Sequence, residues 1–373
     1  MFRNATLNDL DTLVDIENHS FESDRITRRS FRYLLTHANA ATLVEEDNGA
    51  VRGYAMVLFN AGTSMARMYS YAVKPEHRGK GIGKALIEAC EALALERDCI
   101  SMRLEVRPDN APSRSLFEKL GYEFFETAPD YYEDHAEALR YERLLVGHLK
   151  PELVRVPYYE QTLDFTCGPA SLMMAMKALQ PGLELDRKLE LRIWRESTTV
   201  FMTSGHGGCG PYGLALSAYH RGFDVEVHVN DDGALFINSV RDPEKRIVME
   251  LVQEDFLDEL KRLPIKLVYG ALSGADLQAK IDAGGIPVVL ISSYRIYQEK
   301  FPHWVVVTGH DQRSFYVHDP YVDKDAGKTL TDCVNMPISR KDFQRMARYG
   351  KTGQKAILIL SRKKSRPSRS KRA

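Results

Sequence analysis

Apolar positions along the chain fall into short periodic runs separated by glycine, proline and polar clusters. Leu10, Leu13, Val14 and Ile16 lie at helical spacing behind Asn8, which predicts an amphipathic helix capped by that asparagine. Ala41–Glu45, Val51–Phe59 and Met65–Val73 read as strands, with a hairpin turn at Asp47-Asn48-Gly49 between the first two. Pro75 ends the third, and Arg78-Gly79-Lys80-Gly81-Ile82-Gly83 opens a long helix running towards Glu96. A strand at Ser101–Val106, a helix over Ala111–Tyr122 and a closing strand at Ala138–Leu144 follow. Gly147 and Pro151 then break the pattern. Beyond them Leu172, Met173, Met176 and Leu179 mark one face of a helix that begins at or next to Cys167. Asp186–Arg195, Pro211–His220 and Gly274–Ala283 read as helices, and Asp224–Val229 and Ile286–Ile291 as strands. Trp304–Thr308 and Ser314–Val317 read as a hairpin around Asp311 and Gln312. This second half is α+β rather than a repeating βαβ series.

A chain of 373 residues has room for about two domains, each with its own core. The break at Gly147–Pro151 predicts domains at 1–147 and 157–360, an extended linker at 148–156 and a basic, apolar-free tail at 361–373. Lys plus Arg equal Asp plus Glu at 51 each, so no overall field marks a nucleic-acid or membrane binder. The tail offers a weak contact to RNA or the ribosome through phosphates, or is only a solvated extension. No apolar run approaches the ~20 residues that span a bilayer, and the first residues carry no apolar signal core. Five scattered cysteines argue against a disulfide framework. A soluble, cytoplasmic protein without a membrane partner is expected.

Two places carry candidate chemistry. A thiol at a helix start is favoured as thiolate by the unsatisfied N–H groups, and Gly168 would leave it open to approach. Gln161, six residues upstream, can offer an amide to an oxyanion. His303 heads one hairpin strand and Asp319 ends the other, so a base and its orienting carboxylate would lie side by side. A buried, inert Cys167 is the competing reading, and His310 and His318 are competing bases. His206 and Cys209 in the loop Thr203–Gly213 are too few for a metal site; none is expected, and a substrate-facing loop suits the glycines better. In the first half, the glycines after Arg78 let a phosphate approach the backbone at a helix start.

The order Gln161, Cys167, His303, Asp319 resembles papain-like cysteine proteases. More narrowly, Gln161…Cys167-Gly168-Pro169-Ala170, His303-Trp304-Val305-Val306 and Asp319-Pro320 resemble the C39 peptidase family over Val154 to Leu360. The resemblance implies a papain-like fold, a Cys167 nucleophile, a His303 base, an Asp319 orienting group and a Gln161 oxyanion donor acting on peptides. The family's usual setting is a membrane exporter that cuts leader peptides, which a chain without a span does not carry over.

In the first half, Arg78 to Gly83, Leu104 to Glu123, Tyr131-Tyr132 and Ala138–Leu144 together resemble GNAT acetyltransferases of the RimI type. That resemblance implies an α/β fold with a mixed central sheet flanked by helices, and acetyl-CoA as cofactor. It implies cofactor contacts from Val73, Arg78, Gly79, Lys80, Gly81, Ile82, Gly83, Lys84 and Asn110, and a general base at Glu105 whose burial raises its pKa. The substrate would be a protein or peptide amine. Phe117 stands where the RimI-type pattern has a tyrosine acid, so another group such as Tyr122 or solvent supplies that proton, or the chemistry is slower, or the domain binds acetyl-CoA as a sensor without much turnover. The second half has a corresponding non-catalytic reading as a peptide-binding module.

Overall fold

The computed structural model of the chain describes all residues except 148, 199–200, 203–204, 232, 234, 238–239, 241 and 364–373. It divides into two compact units, Met1–Leu149 and the chain from Lys150 onwards, each with its own sheet and core. Most of the basic tail lies outside the described residues.

The first unit is built on a seven-stranded sheet in the order Phe2–Asn4, Ala40–Asp47, Ala50–Phe59, Met65–Val73, Ser101–Val106, Ala138–Leu144, Glu123–Ala128. All neighbours are antiparallel except Met65–Val73 and Ser101–Val106, which are parallel and therefore need the helix Ile82–Glu96 as a crossover. Their pairing runs only from Met65–Ser101 to Arg67–Arg103. Beyond Arg67 one strand follows Ala50–Phe59 and the other follows Ala138–Leu144, so the two part and open a cleft. Helix residues Leu86, Ile87, Cys90 and Ala94 cover one sheet face, against Ala55, Val57, Met68 and Leu104. Leu10, Leu13, Ile16 and Phe31 cover the other, against Val44, Tyr54 and Met56. Asn48 and Gly49 both have positive φ (50° and 77°), the backbone that a two-residue hairpin turn requires. The cap of the first helical segment is Thr6, not Asn8: its hydroxyl accepts from the Asn8 N–H while Asp9 accepts from the Thr6 N–H. A helix at Arg28–Thr36 was not apparent in the sequence, because Phe31 is its only buried residue.

The second unit has an eight-stranded sheet. Its main order is Lys266–Tyr269, Phe223–Val229, Ala356–Arg362, Ile286–Ser292, Pro302–His310, Ser314–His318, Met336–Ser339. The last strand of the chain lies near the middle: Leu358 and Leu360 face the core under the helix Cys167–Leu179, Ile357 and Ile359 the core on the opposite face. Glu152–Leu153 pairs with His310 and Gly309, and the Val154 N–H reaches Thr308 O at 2.7 Å. Part of the expected linker 148–156 is therefore an edge strand. Gly309 permits this approach, since a Cβ there would sit 2.1 Å from the Glu152 carbonyl oxygen. Among the described residues, no helix is long and apolar enough to cross a membrane.

Candidate active sites

Cys167 is the first residue of the helix Cys167–Leu179 and is partly exposed. Pro169 lies in the first turn, where its missing N–H costs nothing. Thr166, the cap residue, makes no side-chain bond to the first-turn N–H groups, so the positive end of the helix is left facing the thiol. Gly168 serves packing rather than access: a Cβ there would lie 3.1 Å from Trp304 Cδ1 and 3.3 Å from Cys209 Cβ. Cys209 itself is buried, its carbonyl accepting from the Trp304 indole at 3.0 Å, so this end of the glycine-rich loop belongs to the core. The His206 side chain lies outside the described residues.

His303, 2 % exposed, is the second residue of the strand Pro302–His310. Its Nε2 is 2.6 Å from Asp319 Oδ1, and Cys167 is among the neighbours that favour charge on the ring, with Nδ1 the nitrogen left for the sulfur. Asp319 is fully buried just after the strand Ser314–His318 and accepts further bonds from the Tyr321 N–H (2.9 Å) and the Tyr297 hydroxyl (2.7 Å). Burial opposes charge on His303, but Asp319 overcomes it and holds the imidazole well above its ordinary range. Burial likewise opposes charge on Asp319, and His303 with the two donors holds its carboxyl below the usual range. Gln161 is clamped beside this turn, its N–H donating to Pro320 O at 2.8 Å. Its side-chain Nε2 donates to Leu163 O at 2.8 Å, while Oε1 is buried without a hydrogen-bond partner. With Leu163, Asp164 and Tyr321 it lines a cavity of about 160 Å³.

The competing histidines are engaged elsewhere. His310 Nε2 is 2.7 Å from Asp282 Oδ1, seven residues along the strand from His303. His318 has Nε2 at 2.8 Å from Val156 O and Nδ1 accepting from the Asn335 N–H at 2.9 Å.

In the first unit the cleft between the parted strands holds the second set. Gly79 and Gly81 have φ of 75° and 80°, and a Cβ at either would meet nothing within 4 Å, so the N–H groups there are open to a ligand. Gly81 caps the helix Ile82–Glu96 with no side-chain bond, leaving Ile82, Gly83 and Lys84 in an uncapped first turn. Arg78 Nε donates to Val73 O at 3.0 Å, and Lys80 Nζ to Glu76 O at 3.1 Å. Asn110 caps the helix Ala111–Lys119 with its oxygen on the Ser113 N–H at 3.2 Å. The Glu105 side chain is only 5 % exposed, but it lies against a counter-ion: Arg67 Nε is 2.9 Å from its Oε2, and Arg67 also donates to the Tyr131 hydroxyl at 2.7 Å. The expected burial of a lone acid is therefore replaced by an ion pair. Phe117 is 2 % exposed, edge-on to Tyr71 and Tyr122 with ring centroids 5.4 and 5.3 Å away.

Residues 156–361 match the Peptidase_C39 like family, and residues 10–122 match the Acetyltransferase (GNAT) family. A Bacillus subtilis protein provisionally named a ribosomal protein bS18-alanine N-acetyltransferase is 33 % identical over 135 residues, covering 36 % of this chain and 88 % of that protein. The chain belongs to both families. An N-alpha-acetyltransferase of Sulfurisphaera tokodaii is 31 % identical over 147 residues, 36 % of this chain and 87 % of that protein. Among solved structures, the Escherichia coli ribosomal-protein-S18-alanine N-acetyltransferase has a TM-score of 0.36 at 22 % identity, covering 39 % of this chain and 93 % of its own.

The GNAT family uses acetyl-CoA. The residues present fit it: open glycine N–H groups at an uncapped helix start suit a pyrophosphate, and a cleft between parted strands suits an extended arm. Three partners were missed in the sequence. Arg67 shows no signal there, because its pairing with Glu105 crosses between strands 38 residues apart. Tyr71 stands on the strand before the glycines, its hydroxyl 3.1 Å from Ser113 Oγ. Glu190, on the helix after Cys167, reads as an ordinary solvated charge and is fully buried.

Proposed function

We propose that the first unit transfers an acetyl group to an amine of a protein or peptide, and that the second hydrolyses peptides with Cys167 as nucleophile. Acetyl-CoA, when bound, supplies a thioester-activated acetyl group. The N–H groups of Gly79 to Lys84 hold its phosphates, with Val73 and Asn110 along its arm. Arg78, tied to Val73 O, braces the turn. Glu105 takes a proton from the substrate ammonium through water, with Arg67 as its counter-ion. Tyr71 rather than Tyr122 is assigned as proton donor on the Phe117 side. Burial raises the pKa of both phenols, but Tyr122 is 2 % exposed and pushed far above the phenol range, while Tyr71 is only partly buried. The name of the Bacillus relative suggests an alanine of a ribosomal protein as the acceptor, and that of the Sulfurisphaera relative an alpha-amine. A cytoplasmic site of action suits such an acceptor.

In the second unit the Cys167 proton passes to His303 Nδ1, and Asp319 steadies the imidazolium through Nε2. The sulfur attacks a peptide carbonyl, the developing oxyanion meets the helix N-terminus and Gln161, and the imidazolium returns its proton to the leaving amine. Water then repeats the sequence on the thioester. The observation that carries this reading is His303, buried and bonded to Asp319 at 2.6 Å, with Cys167 as its neighbour at the start of the helix. Its test is iodoacetamide labelling of the full chain across pH. Fast labelling near pH 6 that vanishes in Cys167→Ala supports it, and labelling that rises only near the ~8.5 of a free thiol favours a peptide-binding module. An RNA contact of the tail has no support and is not part of this reading.

A further inference from the structure

We propose that Glu190 is the positioning residue for Gln161, and through it for the oxyanion site; this rests on the peptidase reading of the second unit. Glu190 lies on the helix Arg187–Ser197 with no exposed surface. Among the described residues no lysine or arginine lies within ion-pair distance of it. A buried carboxylate without a counter-ion is costly unless its lone pairs are met by donors. Here all its donors come from one loop. The Thr162 N–H (2.9 Å) and the Thr166 hydroxyl reach Oε1, and the Thr162 hydroxyl (2.7 Å) and Tyr159 hydroxyl (3.0 Å) reach Oε2. Four donors fill the four acceptor sites of a carboxylate. The Thr166 hydroxyl has one proton and a second acceptor in Leu163 O at 2.8 Å, and the charged oxygen is the stronger of the two.

The geometry of that loop gives Glu190 a specific task. Gln161 is bracketed: its own N–H is tied to Pro320 O, one residue past Asp319, and the next N–H along is tied to Glu190. Thr166, at the other end of the loop, is the residue before Cys167. Glu190 therefore fixes the Gln161 amide relative to both the nucleophile and the acid, while none of its hydrogen bonds goes to Cys167 or His303. Losing Glu190 should loosen the oxyanion donor and leave the thiolate–imidazolium pair intact.

Two reactions of Cys167 in the full chain separate these effects. Alkylation by iodoacetamide displaces iodide and develops no oxyanion. Acylation by p-nitrophenyl acetate forms a bond from sulfur to the acetyl carbon, breaks the ester C–O bond and releases p-nitrophenolate, the thiol proton going to His303; an oxyanion develops on the way. Cys167→Ala supplies the blank for both. Glu190→Gln is expected to slow acylation about 10- to 100-fold with alkylation within about twofold, since displacement of one oxyanion donor acts only where an oxyanion forms. In a Gln161→Ala background the same substitution should change acylation by less than about twofold, because the group it positions is gone. If circular dichroism shows Glu190→Gln unfolded, Thr162→Val deletes one of the four bonds and is read the same way, with a drop of about 3- to 10-fold that vanishes beside Gln161→Ala. An unchanged acylation rate, or an equal loss with and without Gln161, overturns the role of Glu190. A parent enzyme whose Cys167 is no more reactive than a free thiol overturns the peptidase reading instead.

Discussion

Asp319→Asn tests how much of the Cys167 reactivity is set by charge rather than shape. The amide has the outline of the carboxylate, so its oxygen can keep the His303 and Tyr321 bonds while its NH₂ faces the Tyr297 hydroxyl, which can turn to accept. What is lost is the negative charge 2.6 Å from His303 Nε2. A hydrogen bond to a charged group contributes about 1.5–3 kcal/mol and one between neutral groups about 0.5–1.5. The imidazolium should therefore lose about 1–2 kcal/mol, roughly one pKa unit and about tenfold in the population of the thiolate–imidazolium pair. The assay is the second-order rate of iodoacetamide on Cys167, with Cys167→Ala as blank. Near pH 6 the variant should react about tenfold more slowly; near pH 10, where a thiol ionises unaided, the two rates should converge. The same ratio at both pH values, or no loss at pH 6, would refute the reasoning. Stability follows the same groups. The raised pKa of His303 contributes stability that is complete below about 6.5 and is lost as pH rises through its folded value. The lowered pKa of Asp319 contributes above about 3.9 and is lost as pH falls through its folded value. Asp319→Asn should thus lower the melting temperature most between about pH 4 and 6.5.

Acetyl-CoA should raise the melting temperature of the first unit's transition, and Gly83→Glu should abolish the shift; Gly83→Ala should fold normally, since its methyl would meet Tyr71, Leu116 and Val73 only at 3.6–3.8 Å. Glu105→Gln should lower kcat more near pH 7 than at high pH, where the substrate amine is already free; parallel pH profiles would remove Glu105 from the role of base. Tyr71→Phe should reduce kcat by about 10- to 100-fold while leaving the acetyl-CoA melting shift unchanged, and full activity would exclude it as the acid. His318→Ala should destabilise the second unit by about 1–3 kcal/mol, because it removes the buried hydrogen bonds to the Val156 carbonyl and from the Asn335 N–H, yet labelling of Cys167 should persist. His310→Ala should leave labelling untouched.

The strands and helices that carry these residues were legible because periodicity and turn chemistry agreed. Ser101–Val106 and Pro211–His220 coincide with their expected bounds, and the Cys167 helix begins at the cysteine. Elements whose burial is sparse were not. The helix Pro243–Arg262 buries only Met249, Gln253 and Leu260 and exposes Ile247, Val248 and Leu251, which blurs the apolar stripe. The position of Ala356–Arg362 inside the sheet depends on pairing with strands over 60 residues away, which no local pattern encodes. Site partners divide in the same way. Cys167, His303 and Asp319 are marked by where they fall on elements, whereas Arg67 and Glu190 gain their roles only from contacts across the fold.

The most direct test of a second, hydrolytic site is a peptide digest read by mass spectrometry. A pool of peptides prepared from a whole proteome is incubated with the full chain and, in parallel, with its Cys167→Ala variant. New peptide termini that form with the parent and are missing with the variant are the predicted result. A parent that labels readily with iodoacetamide yet produces no Cys167-dependent termini would contradict the account and leave the second unit as a peptide binder.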